Sequence, residues 1–150
     1  MSAPGVTLHV DLQNVDFARD RFRNLVSRFG DMSPAMDEIG SLLTASTLDR
    51  FEQGKGPDGQ PWLPSLRAVA EDGQTLVNTA RLMQSVTHAA GPREVEVGTN
   101  LIYARIQQNG GKTGKGRKVT LPARPYLGVS PSDQDEITLV LDDYFAGGFR

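Results

Sequence analysis

Val6, Leu8 and Val10 alternate with Thr7, His9 and Asp11, the period-two pattern of a half-buried strand over Gly5 to Asp11. From Asn14 the spacing changes. Val15, Ala18, Phe22, Leu25, Val26 and Phe29 recur every three or four residues around Arg19, Asp20, Arg21 and Arg23, which predicts an amphipathic helix ended by Gly30. Ser33-Pro34 then opens a second helix in the order of an N-cap followed by proline, with Asp37 and Glu38 assigned to its first turn and an end near Gln53. Between Ile39 and Leu48 this helix carries no charge, so it is either the central helix or part of a subunit contact.

Regular patterning then stops. Gly54, Gly56, Pro57, Gly59, Pro61 and Pro64 predict a loop, and the single tryptophan, Trp62, is expected to anchor that loop to the core by burying its ring. Leu76, Leu82, Met83 and Val86 predict a third helix over about Thr75 to Ala89, stopped by Gly91-Pro92. Val95 and Val97 alternate with Glu94 and Glu96 as a second strand, which Gly98 is expected to break; Leu101 to Gln108 fits either a short helix or a strand. Four glycines and four basic residues fill Gly110 to Lys118, and Val119, Leu121 and Tyr126 suggest a return strand interrupted by Pro122 and Pro125. The piece reads as a long β-hairpin or loop, and Gly110 to Lys118 is expected to be disordered in the free subunit and ordered only in the assembled particle, because that segment has no aliphatic residue to offset the cost of ordering it. Ser130-Pro131 caps a last helix with Asp133, Asp135 and Glu136 in its first turns; Ile137, Val140, Leu141 and Tyr144 form its apolar face and Gly147-Gly148 its end. The order of elements predicts one α+β domain over residues 1–150, a small antiparallel sheet packed with about four helices.

Composition narrows the chemistry. A chain of 150 residues supports a single core, and the absence of cysteine removes disulfides, thiolate metal sites and cysteine nucleophiles. With 16 Lys+Arg against 18 Asp+Glu the net charge is -2, too little positive field to draw the whole domain onto duplex nucleic acid. No apolar run approaches the roughly 18 residues of a membrane span, and Met1 to Gly5 lacks a signal pattern, so a cytoplasmic product with no membrane partner is expected.

Catalytic patterns are missing where they would be sought. Gly110-Gly111-Lys112-Thr113 invites a phosphate-loop reading, but Ile106 occupies the position of the first glycine and the following residues are extended. His9 and His88 lack ligand spacing, no serine sits in a GxSxG elbow, and the pairs Glu94/Glu96 and Asp142/Asp143 fit the wet faces of amphipathic elements. No catalytic residue, cofactor or metal is assigned. The one charge asymmetry is Lys112, Lys115, Arg117 and Lys118 with Arg124 beyond them, which reads either as a solvated loop or as a contact for an acidic partner or a DNA backbone.

Phe51-Glu52-Gln53-Gly54, Gly56-Pro57-Asp58-Gly59 and Trp62-Leu63-Pro64, taken in order, resemble the phage virion morphogenesis family, which includes capsid-assembly and tail-completion proteins. Leu76 to Ser85, Val97-Gly98-Thr99-Asn100 with Tyr103-Ala104, and Leu121-Pro122-Ala123-Arg124-Pro125-Tyr126-Leu127-Gly128 are similar to further segments of that family, so the resemblance covers about Met36 to Tyr144. Two positions depart from it. Ala80 stands where the family often has glycine and Gln107 where it often has histidine, so no role of that histidine carries over.

The resemblance implies a non-enzymatic structural protein of a tailed phage or prophage, acting in tail completion or at the neck to join tail to head. It also implies a homo-oligomeric ring in the virion at the head–tail junction, a hexamer ahead of a dodecamer, contacting other neck, connector and tail proteins and lying close to DNA in the channel. A closed ring needs two different faces on each subunit. The other readings are a tail terminator, a head-completion stopper or adaptor ring, an assembly factor absent from the finished particle, and a DNA-binding module.

Overall fold

The computed structural model describes residues 5–11, 30–77 and 80–146. The helix expected from Asn14 and the stop expected at Gly147-Gly148 lie outside the described residues. Strand β1 (Val6–Asp11) pairs antiparallel with β3 (Glu94–Thr99), whose other edge takes β2 (Thr87–Ala90), giving the order β1-β3-β2. The expected alternation is realised in β1 and β3: Leu8 stands opposite Val97 and Val10 opposite Val95, on the core side, while His9 stands opposite Glu96 on the other.

The long helix α1 (Ser33–Gln53) packs on β2 and β3 along one side and on α5 (Pro131–Phe145) along another. Of its uncharged stretch only Ser41 and Ala45 are exposed, so the central-helix reading holds. Small residues there let the sheet approach. A Cβ on Gly40 would lie 2.4 Å from the His88 ring, which fills that space and reaches Asp37 (Nε2–Oδ1, 2.9 Å). The start of α1 differs from expectation: Ser33 is inside the helix, its backbone N–H donates to Asp31 Oδ1 (2.9 Å), and Asp37 and Glu38 fall beyond the first turn. Hydrogen bonds from the Ser33 hydroxyl first, and then from its backbone N–H, hold the Asp31 carboxyl below its ordinary value. At the other end Gly54 closes α1 in the left-handed conformation, at φ 68°.

Three regions depart from the pattern-based expectation. The third helix shrinks to α3 (Arg81–Ser85), because Leu76 and Ala80 have φ of 67° and 57°, and Thr87–Ala90 is claimed by the open edge of β3. An unexpected short helix, α2 (Leu66–Glu71), is capped by Ser65, whose Oγ accepts from Ala68 N (3.1 Å). Gly98 does not break β3; it continues in the ladder opposite Thr7 and Thr87. Helix α4 (Ala104–Asn109) resolves the two-way reading of Leu101 to Gln108.

The basic segment is also more regular than expected. Strands β4 (Gly111–Thr113) and β5 (Val119–Leu121) pair antiparallel around a 3-10 turn at Lys115–Arg117. Gly114, Gly116 and Arg117 hold the positive φ of that turn, and the ladder draws its second strand from Val119 to Leu121, just outside Gly110 to Lys118.

Side chains more than ladders hold the stretch after β5. Prolines at 122 and 125 remove backbone donors, and the freed groups are met from elsewhere. Gln108 Oε1 accepts from both Tyr126 N and Leu127 N (3.0 Å each), Trp62 Nε1 donates to the Pro125 carbonyl (2.8 Å), and Arg50 Nη1 donates to the carbonyls of Tyr126 (2.9 Å) and Gly128 (3.1 Å). Arg50 Nη2 also pairs with Asp133 of α5, an ion pair with both side chains largely buried. Burial is the main effect on this guanidinium and lowers its pKa, against the opposing pull of Asp133. Removing one partner of such a buried pair costs about 3–5 kcal/mol, so α1, α5 and residues 126–128 are locked to one another. Among the described residues no helix is long and apolar enough to cross a membrane.

Candidate assembly interface

The β4–β5 hairpin presents Lys112, Lys115, Arg117 and Lys118 as exposed side chains, and none of the four makes an ion pair with a described residue. These four cations form a local positive patch on a chain of net charge -2. Val119 beside them is half exposed. The arrangement suits charge-assisted hydrogen bonds to carboxylates or phosphates, which strengthen as the partner surface excludes water.

Trp62 is 7% exposed. Its ring meets Phe51 edge-on at 5.8 Å between centroids, and Phe51 lies 5.2 Å from Tyr126. The loop it belongs to bonds to itself, with Gly56 N donating to Gln60 O (3.0 Å) and Trp62 N to Gly54 O (2.8 Å), so the indole pins a compact turn to the core. Tyr126 is fully buried, its hydroxyl donating to the Ala104 carbonyl (2.8 Å); burial first, and then Tyr103, push its pKa well above the ordinary tyrosine value.

Arg124 does not join the other four cations at the surface. It is 5% exposed, its Nε donates to the Leu63 carbonyl (2.7 Å), and it lines a cleft of about 350 Å³ together with Arg67, Arg81, Tyr103, Gln107 and Leu121. Burial with no neighbouring carboxylate lowers its pKa. Gln107 Oε1, at the position where the family often has histidine, is buried without a hydrogen-bond donor among the described residues. A second cavity of about 390 Å³ lies between α1, α5 and the 54–59 turn, over the Arg50–Asp133 pair.

The histidines are engaged structurally. His9 sits 3.3–3.4 Å from carboxylate oxygens of Asp11, Glu94 and Glu96. His88, on a strand and not near a helix end, has Asp37 on one ring nitrogen and Thr44 Oγ1 at 3.4 Å on the other. The threonine, histidine and aspartate follow the order of a nucleophile relay, but the Thr44 hydroxyl donates to the Gly40 carbonyl (2.8 Å) and neither cavity is lined by these residues. Sequence reasoning missed the exposed apolar residues Leu63, Leu66, Val69, Ile102 and Leu139. Only Leu139 carried a signal, lying off the apolar face of its helix; the others sit where no periodicity assigns a side.

Comparison with known proteins gives the same affiliation from most of the chain. The pattern of the phage virion morphogenesis family matches residues 10–146. The chain is similar to the Mu-like prophage FluMu G protein 2 of Haemophilus influenzae, at 34% identity over 92% of this chain and 96% of that protein. It is also similar to the putative capsid assembly protein G of Escherichia phage Mu, at 30% identity over 69% of this chain and 81% of that protein. No solved structure matches.

Proposed function

Because the chain belongs to the phage virion morphogenesis family, we propose that it is a non-enzymatic structural protein of a tailed phage or prophage that closes into a ring at the head–tail junction and is needed to join tail to head. A role in building the phage particle follows from the family itself. The ring, a hexamer ahead of a dodecamer, and its position at the neck are the further reading. The observation that carries it is the hairpin bearing Lys112, Lys115, Arg117 and Lys118, four exposed cations with no ion-pair partner among the described residues. Such a group suits an acidic neighbouring ring or the DNA in its channel.

Replacing the four by serine tests this. The free subunit should keep its stability within about 0.5 kcal/mol, as for surface changes generally, while infected or induced cells accumulate separate filled heads and tails. Normal yields of joined particles from the fourfold variant would contradict the reading. A second reading is an assembly factor absent from the mature virion, favoured by the name of the phage Mu relative, a putative capsid assembly protein. It predicts defective capsids in place of unjoined parts.

A further inference from the structure

We propose that the cleft around Arg124 is the acceptor half of a head-to-tail contact between copies of this chain, and that its occupant is the outward stripe of α5 from the next copy, which places a carboxylate against the Arg124 guanidinium. This rests on the ring reading above and names the two faces such a ring would join.

The acceptor is a built site. Arg124 is 5% exposed and lines the cleft with no anion beside it: its side chain donates from Nε to the Leu63 carbonyl, and no carboxylate among the described residues reaches it. Its lowered pKa reflects burial alone. Arg81, exposed at the same cleft, adds a second cation. Leu66, 91% exposed, stands next to Ser65 and Arg67 of the cleft wall, and Tyr103 is partly exposed on that wall, so the recess carries both charge and apolar surface.

The occupant has the complementary character. Asp135, Glu136, Leu139 and Asp143 are exposed on α5, and their spacing puts them in one stripe, a leucine flanked by acids. Leu139 is 66% exposed, and Asp135, Glu136 and Asp143 make no ion pair with a described residue. No residue of α5 lines the cleft, so donor and acceptor are different faces of one subunit, as a closing head-to-tail interface requires. A recessed single guanidinium suits one side-chain carboxylate, whereas a duplex backbone is met by exposed cations such as those of the hairpin.

Two variants test the contact by sedimentation of the full chain. Arg81→Glu spoils the cleft, and the double change Asp135→Ser with Asp143→Ser spoils the stripe without adding a cation that could pair with the new glutamate; all three positions are exposed, so folding should survive. Each variant alone should associate at least about tenfold more weakly than the wild type. An equimolar mixture of the two should form a dimer and nothing larger, since each supplies the face the other lacks. Arg124→Gln should weaken association while leaving the melting temperature of the free chain unchanged or higher. Rings of unaltered strength from the variants would overturn this contact while leaving the ring reading in place. A wild-type chain that stays monomeric, with no dimer in the mixture, would overturn both. A lower melting temperature with unchanged association for Arg124→Gln would make that residue a structural pin and overturn the proposal. So would loss of retention on a DNA duplex in Arg81→Glu without any change in self-association.

Discussion

Trp62→Ala isolates what the indole does for the 54–64 loop. A buried tryptophan removes roughly 150–250 Å² from water, which at about 25 cal/mol per Å² corresponds to about 4–6 kcal/mol as an upper limit. Two local effects act in the same direction. The Pro125 carbonyl loses its donor at 2.8 Å, and Phe51 loses its edge-on partner. Large-to-small changes at buried aromatics cost about 3–5 kcal/mol in practice, so about 4 kcal/mol is expected, a large share of the roughly 5–15 kcal/mol typical of a domain. Trp62→Phe keeps most of the ring and loses the N–H, which should cost about 1–3 kcal/mol for the unmet carbonyl. Because Trp62 is the single tryptophan, unfolding in urea should be followed by far-ultraviolet circular dichroism, with the midpoint falling at an unchanged slope. A loss below about 1 kcal/mol for the alanine variant would refute the buried-anchor argument. Normal folding with failed assembly would instead make Trp62 an interface anchor.

Two further outcomes follow from the structure. Ala80 holds φ 57° at the start of α3, a conformation that costs a residue with a Cβ about 1–2 kcal/mol, so Ala80→Gly should raise stability by about 1 kcal/mol in thermal or urea unfolding; a loss would show that the strain argument fails. Tyr126 has a pKa raised above its ordinary 10.0, so the native state holds a proton that the unfolded chain releases, and stability should be intact below pH 10 and fall above it. Ultraviolet titration should then show one of the three tyrosines ionising only as the chain unfolds, and Tyr126→Phe should remove that part of the alkaline loss.

Local signals were legible in the sequence where backbone chemistry is itself local. Pro34 and Gly54 bracket α1, Ser130 and Asp133 form the capping box of α5, and alternation marks β1 and β3. Tertiary pairing hid the rest. Thr87 to Ala90 continues an apolar helical spacing, yet β3 had an open edge that took it as a strand. Leu66 and Val69 point to solvent, so α2 has no buried stripe to reveal it. Arg124 reads as a surface charge, and only the approach of Leu63, 61 positions earlier, makes it a buried one. Arg50 meets Asp133 across 83 positions, a pairing that no local pattern announces.

The proposed role makes this chain a component of the finished particle at the junction of head and tail. Mass spectrometry of purified virions, with the copy number set against a known capsid protein, tests it most directly. The protein should be present in a copy number fitting one ring, about six per particle for a hexamer or about twelve for a dodecamer, as closed cyclic symmetry requires. Its absence from purified infectious virions, while it is abundant in the producing cells, would contradict the account and leave an assembly factor in its place.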